Sequence, residues 1–79
     1  MEWLNKLITL SNGTQWVVMQ HTEYNGKLYV LVNDVINGTQ LGKNKVLFRV
    51  EDPYGNPRFE DEENSWTKAK VFWKMSKEC

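Results

Sequence analysis

The stretch WVVMQHTEYNGKLYVLV, residues 16–32, decides the fold. At its centre, Asn25-Gly26 is the preferred pair for a two-residue type I′ turn, because both positions need positive φ. Strand formers flank it: Trp16-Val17-Val18-Met19 before the turn, Leu28-Tyr29-Val30-Leu31-Val32 after it. A two-residue turn sets the register, so Glu23 is expected opposite Leu28, His21 opposite Val30, Met19 opposite Val32 and Val17 opposite Asp34. One face then carries Val17, Met19, Leu28, Val30 and Val32, and the other Trp16, Val18, Tyr24, Tyr29, Leu31 and Val35. Both faces are apolar, and each needs a cover. This predicts a sheet curled on itself with a further layer outside it.

Outward from the hairpin, Lys6-Leu7-Ile8-Thr9-Leu10 reads as a short strand, turned by Ser11-Asn12-Gly13-Thr14 into the first long strand. Residues Asn37 to Asn44 are polar, contain two glycines and read as a loop. Residues 45–52, KVLFRVED, alternate: Val46, Phe48 and Val50 point one way, Lys45, Arg49 and Glu51 the other. Pro53-Tyr54-Gly55-Asn56-Pro57 is a turn returning into a short strand at Arg58-Phe59-Glu60. From about Asp61 the chain has two readings. As a helix, it opens with Asp61-Glu62-Glu63 and closes with Lys74 and Lys77, which suits the helix dipole at both ends. Trp66, Ala69, Phe72, Trp73 and Met75 would form its apolar face, and Thr67, Lys70, Lys74 and Lys77 its polar one. As a strand, Thr67-Lys68-Ala69-Lys70-Val71 alternates into Trp73 and Met75, and it avoids placing Lys68 in the apolar arc of a helix. Charge polarity and the need for a cover favour the helix. The expected fold is α+β: one domain over residues 1–79, a small, strongly bent and partly barrel-like antiparallel sheet of about four or five strands, with one C-terminal helix packed on it.

Composition narrows the function. The 79 residues are 41% hydrophobic and include four Trp, three Tyr and three Phe, which excludes disorder. Ten basic and ten acidic side chains cancel, which argues against a polyanion binder held by charge alone. A single cysteine, Cys79, supplies neither a disulfide framework nor a cysteine zinc site, and reads as a silent terminal thiol. No apolar run is long enough to span a membrane. The opening MEWLNKLITLSN, with its early acid and polar breaks, does not read as a signal peptide, so a cytoplasmic location is expected.

Catalysis needs a nucleophile, a base and an orienter within reach. The only histidine, His21, falls mid-strand, and neither it nor Cys79 has an evident partner, so no enzyme is expected. The acidic run Glu60 to Glu63 lacks the spaced oxygen ligands and glycine of a calcium loop, and no phosphate-cradling glycine motif occurs, so neither metal nor cofactor is expected. Asn12-Gly13-Thr14 and Asn37-Gly38-Thr39 fit the glycosylation pattern but read as turns. For nucleic acid, Trp16, Tyr24, Tyr29 and Phe48 would supply stacking platforms and Lys43, Lys45 and Arg49 the charge. The core needs those same aromatics, and acids accompany the basic residues throughout, so nucleic acid is the less favoured partner.

The most suggestive surface feature is acidic. Glu51, Asp52, Glu60, Asp61, Glu62 and Glu63 are gathered around the Pro53–Pro57 turn. They read either as solvated surface complementing a helix dipole or as a docking face for a basic groove on a bacterial partner protein, with Tyr54 and Trp66 as aromatic anchors.

The run Ile8-Thr9-Leu10-Ser11-Asn12-Gly13-Thr14-Gln15-Trp16-Val17-Val18, followed by Tyr24-Asn25-Gly26-Lys27-Leu28-Tyr29-Val30-Leu31, resembles small proteins of unknown function from Gram-positive bacteria and their phages. These share a TLxxGxxYxV…YxGKxYxxL pattern, then a strand and an acidic lead into a final helix, like Arg58-Phe59-Glu60-Asp61-Glu62-Glu63 here. Trp16 stands where the pattern has Tyr, and the Asn37–Asn44 stretch is longer. The resemblance implies a β-rich domain with a terminal helix, no catalytic residue, and a gene of a phage or mobile element, whose small accessory proteins often block host or defence proteins. The expected function is therefore a non-enzymatic protein-binding module of anti-defence type, which inhibits or regulates a bacterial host protein through the acidic, aromatic-flanked surface. The alternative is a small β-barrel that binds single-stranded nucleic acid. No membrane partner is expected, and an exposed apolar edge would offer a route to a homodimer.

Overall fold

A computed structural model describes residues 3–78, all but the side chain of Leu41. The chain runs β1 (Leu7–Thr9), β2 (Gln15–Tyr24), β3 (Lys27–Ile36), β4 (Thr39–Glu51), β5 (Pro57–Asp61) and α1 (Ser65–Glu78). The strands form one antiparallel sheet in the order β1-β2-β3-β4-β5, each paired with the next along the chain. It curls strongly into a half-barrel, and the single helix makes the fold α+β.

Two Asn-Gly turns build the centre of the sheet. Asn25 and Gly26 have φ of 50° and 76°, and Asn37 and Gly38 repeat the geometry at 52° and 78°. The second turn corrects the expectation of a loop over Asn37–Asn44: Ile36 pairs with Thr39 and Val35 with Gln40, so β4 begins directly after Gly38. Polar side chains on Thr39, Gln40, Lys43 and Asn44 disguise a strand whose backbone is held by the turn.

The register also departs from the simple hairpin. Glu23 faces Leu28 and His21 faces Val30, as the turn requires. A bulge between Val18 and Gln20 then slips the pairing, so that Val18, rather than Met19, faces Val32, and Trp16, rather than Val17, faces Asp34. Because side chains alternate with period two, that single extra residue exchanges the faces of the N-terminal half of β2. Trp16 and Val18 turn inward to join Val30, Val32, Ile8 and Leu47, with Trp3, Leu10, Leu28 and Phe59 packed around them. Met19 turns out and is 42% exposed. Trp3 meets Phe59 edge to face at 5.1 Å, bringing the two edges of the curl together.

The second core lies on the outer side of the sheet. Tyr29, Val46, Val71 and Met75 are buried there, with Tyr24, Leu31 and Phe48 against them. The C-terminal segment is thus helix, but it starts at Ser65, not near Asp61. Asp61 still pairs with Leu47 in β5, and Asn64 caps the helix, its Oδ1 accepting the N–H of Thr67 at 3.0 Å. The buried stripe differs from the expected one as well. Val71 and Met75, four residues apart, face the sheet, whereas Trp66, Phe72 and Trp73 stand 70%, 40% and 60% exposed. Polar contacts lock this rotation: Gln20 Nε2 donates to the Met75 carbonyl at 2.8 Å, Thr22 Oγ1 donates to the Glu78 carboxylate, and Lys74 Nζ donates to the Glu23 carbonyl. Lys68 is half-buried beside the sheet, its stem covering apolar surface.

Candidate docking face

The carboxylates singled out in the sequence do not form one face. Glu51, Asp52 and Tyr54 sit at the β4–β5 turn, while Asp61, Glu62 and Glu63 lie at the far end of β5, roughly 13 Å of extended strand away. Along β5 they also alternate: Asp61 is opposite Leu47, on the inner side, and Glu60 opposite Phe48, on the outer side.

Most of these acids already have partners. Asp52 shapes its turn, accepting the N–H groups of Tyr54 and Asn56, both at 2.9 Å. The Asn56 N–H, more than partial desolvation opposes it, holds this carboxyl below the usual range, with help from the Tyr54 N–H, the Asn56 side chain and the Arg58 charge. Glu51 pairs with Arg49 at 3.2 Å, Glu60 with Arg58 at 3.3 Å and Asp61 with Lys45 at 2.9 Å. Glu62 accepts the Tyr29 hydroxyl and the Asn64 N–H, each at 3.1 Å. Burial first, then this bond and the carboxylate charge, push the Tyr29 phenol above its ordinary pKa. Tyr54 is 88% exposed, but β5 separates it from Trp66.

Two of the four aromatics suggested as a nucleic-acid platform are buried and the other two half-buried. Trp16 and Tyr29 are 6% and 3% exposed, and Tyr24 and Phe48 pack under α1. Lys45 lies over the Trp16 ring at 5.0 Å and Arg49 is paired with Glu51. Beside Trp16 is a cleft of about 520 Å³ that includes Asp34 and Lys43. Two of its polar contacts serve the fold: the Asp34 carboxylate accepts the Lys43 N–H at 2.8 Å where β4 bulges opposite Asp34, and Trp16 Nε1 donates to Thr14 Oγ1 at 2.8 Å. His21 is half-buried in β2, and Cys79 lies outside the described residues.

The side of α1 turned away from the sheet is different in kind. Trp66 and Trp73 are seven residues apart, which places them on nearly one line about 10.5 Å along the helix. Each carries a lysine four residues later: Lys70 Nζ lies 4.7 Å from the Trp66 ring and Lys77 Nζ 4.1 Å from that of Trp73. Phe72 and Ala69 continue the apolar surface into a groove of about 490 Å³ bordered by Asn44 and Val46 of β4 and Asp61 of β5. Lys70, Lys74 and Lys77 border the opposite side.

Against known proteins, the chain matches no family model, no curated protein and no solved structure. Its chemistry therefore rests on its own residues. The exposure of Trp66, Trp73 and Phe72 was not legible in the sequence, because an apolar arc on a helix normally marks its buried side. The signal available in the sequence was the doubled Trp-x-x-x-Lys at a spacing of seven. No helix among the described residues is long and apolar enough to cross a membrane.

Proposed function

We propose that the chain is a non-enzymatic protein-binding module that docks through the outward side of α1, with Trp66 and Trp73 as its anchors. The observation that supports this is their exposure, 70% and 60%, on a helix whose seat on the sheet is completed by Val71 and Met75. Tryptophans bury large areas and dominate interface energetics. Leaving two of them in water on one face has no role in the packing of the fold. The resemblance to small proteins of Gram-positive bacteria and their phages supports a phage or mobile-element accessory protein that inhibits or regulates a host or defence protein.

Site-directed photocrosslinking in bacterial lysate tests the docking face. A photoreactive phenylalanine at position 66 or 73 should give the same covalent adduct, and the same residue at Tyr54 should not. The Trp66 adduct should vanish when Trp73 is replaced by alanine. Equal adducts from position 54, or none from 66 and 73, would refute the reading.

A further inference from the structure

The docking face carries information about the chemistry of what it binds. Resting on the reading that α1 is that face, we infer that its partner is a protein segment presenting an apolar anchor beside carboxylates spaced to meet Lys70 and Lys77.

Three features of the surface carry this. The first is charge. On the exposed side of α1 stand Lys70 and Lys77, and the one acid of residues 65–78, Glu78, is engaged by Thr22. That side is therefore cationic in a chain whose formal charge is zero, and it favours an acidic counterpart. The second is layout. Trp66, Trp73, Ala69 and Phe72 form an apolar stripe, while Lys70 and Lys77 line one border, so the partner needs its acids on one side of its apolar residues. The third is spacing. Lys70 and Lys77 are seven residues apart, about 10.5 Å along the axis, which matches carboxylates seven residues apart on one side of a partner helix.

The same features weigh against other occupants. A polyanion laid along α1 would run from the lysines onto Glu60 and Glu63, both exposed just before the helix. One face of each indole is also already taken by an ammonium, which hinders the stacking that single-stranded nucleic acid uses. A second copy pairing antiparallel through α1 would bring its lysines against those of the first. A membrane-binding helix keeps its cations away from its immersed face, whereas Lys70 and Lys77 lie directly beside the indoles.

A random peptide library panned on the 79-residue chain tests the inference, with counter-selection on the Trp66→Ala/Trp73→Ala double variant. The selected peptides should combine Asp or Glu with Leu, Ile, Phe or Trp. Their affinity for Lys70→Glu/Lys77→Glu should fall by about tenfold or more, and panning on that variant should select Lys- or Arg-bearing peptides instead. Circular dichroism should show both double variants folded, since all four side chains are exposed. Peptides that need the tryptophans but are neutral or basic, or that ignore the charge reversal, would overturn the acidic partner and leave the docking face standing. Failure to select any tryptophan-dependent peptide would overturn both. Oligothymidylate, phosphatidylserine vesicles and sedimentation equilibrium of the chain alone complete the test. Tryptophan-dependent binding to either probe that is tighter than to the peptides, or tryptophan-dependent self-association, would assign the face to that other occupant and refute the inference.

Discussion

Replacing Met75 by alanine distinguishes the two ways of seating α1 on the sheet. Met75 is 2% exposed, between the helix and Tyr29 and Val46. Truncation removes three heavy atoms beyond Cβ, roughly 0.8 kcal/mol each in transfer free energy. Partial collapse of the remaining void brings the expected cost to about 2–4 kcal/mol, within the range for buried Met→Ala. Alanine and methionine differ little in helix propensity, so almost no compensation is expected. A domain of this size has on the order of 4–12 kcal/mol in total, so the loss is large. Trp73→Ala is the counterpart. Its indole is 60% exposed, and losing its contact with Lys77 should cost about 0.5–1 kcal/mol. Urea denaturation followed by circular dichroism, with a slope near 1 kcal/mol/M, should show the midpoint lowered by about 2–4 M for Met75→Ala and by about 1 M or less for Trp73→Ala. Equal losses, or the reverse order, would mean that the tryptophan stripe faces the sheet, and the docking face would fall with it.

Gly38→Ala should cost about 1–2 kcal/mol, as should Gly26→Ala, because each holds φ near 77° in the same kind of turn. No atom crowds a Cβ at either position, so urea midpoints report backbone strain alone, and no loss at Gly38 would restore the polar loop. Asp52 has a folded pKa below its unfolded value, so its contribution to stability is present above the unfolded pKa and lost as pH falls through the folded one. Acid unfolding of Asp52→Asn should lack that part of the pH dependence, and an unchanged acid limb would contradict the turn geometry. Tyr29 has a raised pKa, so its contribution is complete below the ordinary phenol value and lost as pH rises through the folded one. Tyr29→Phe should cost about 1 kcal/mol at neutral pH and flatten stability in alkali, both measurable by denaturant titration. Glu60→Lys with Glu63→Lys should leave crosslinking from position 73 intact; its loss would return the docking surface to the acidic residues.

The hairpin around Asn25-Gly26 was legible because its turn chemistry and its β-branched flanks are local. So was the need to cover two apolar faces, and with it the curled sheet and the terminal helix. The second Asn-Gly turn used the same signal, but the polar residues after Gly38 masked a strand whose pairing depends on a neighbour rather than on hydrophobic alternation. Met19 shows a different limit: nothing in its immediate sequence marks a bulge, yet that one residue decides whether Trp16 or Val17 enters the core.

For the proposed docking surface, sequence alone placed aromatic residues, lysines and carboxylates along the chain. Tertiary structure decided which of them share a face. The six acids were dispersed because a strand separates its two ends and alternates its sides, and because Arg49, Arg58, Lys45 and Tyr29 were within reach to pair with them. The outward turn of Trp66 and Trp73 was settled by contacts more than fifty residues apart in sequence, from Gln20, Thr22 and Glu23 to Met75, Glu78 and Lys74. Periodicity establishes that a helix has an apolar arc. Only the sheet beneath it, whose shape accepts Val71 and Met75 and whose polar groups grip one edge, determines which arc is buried and which is left in solvent.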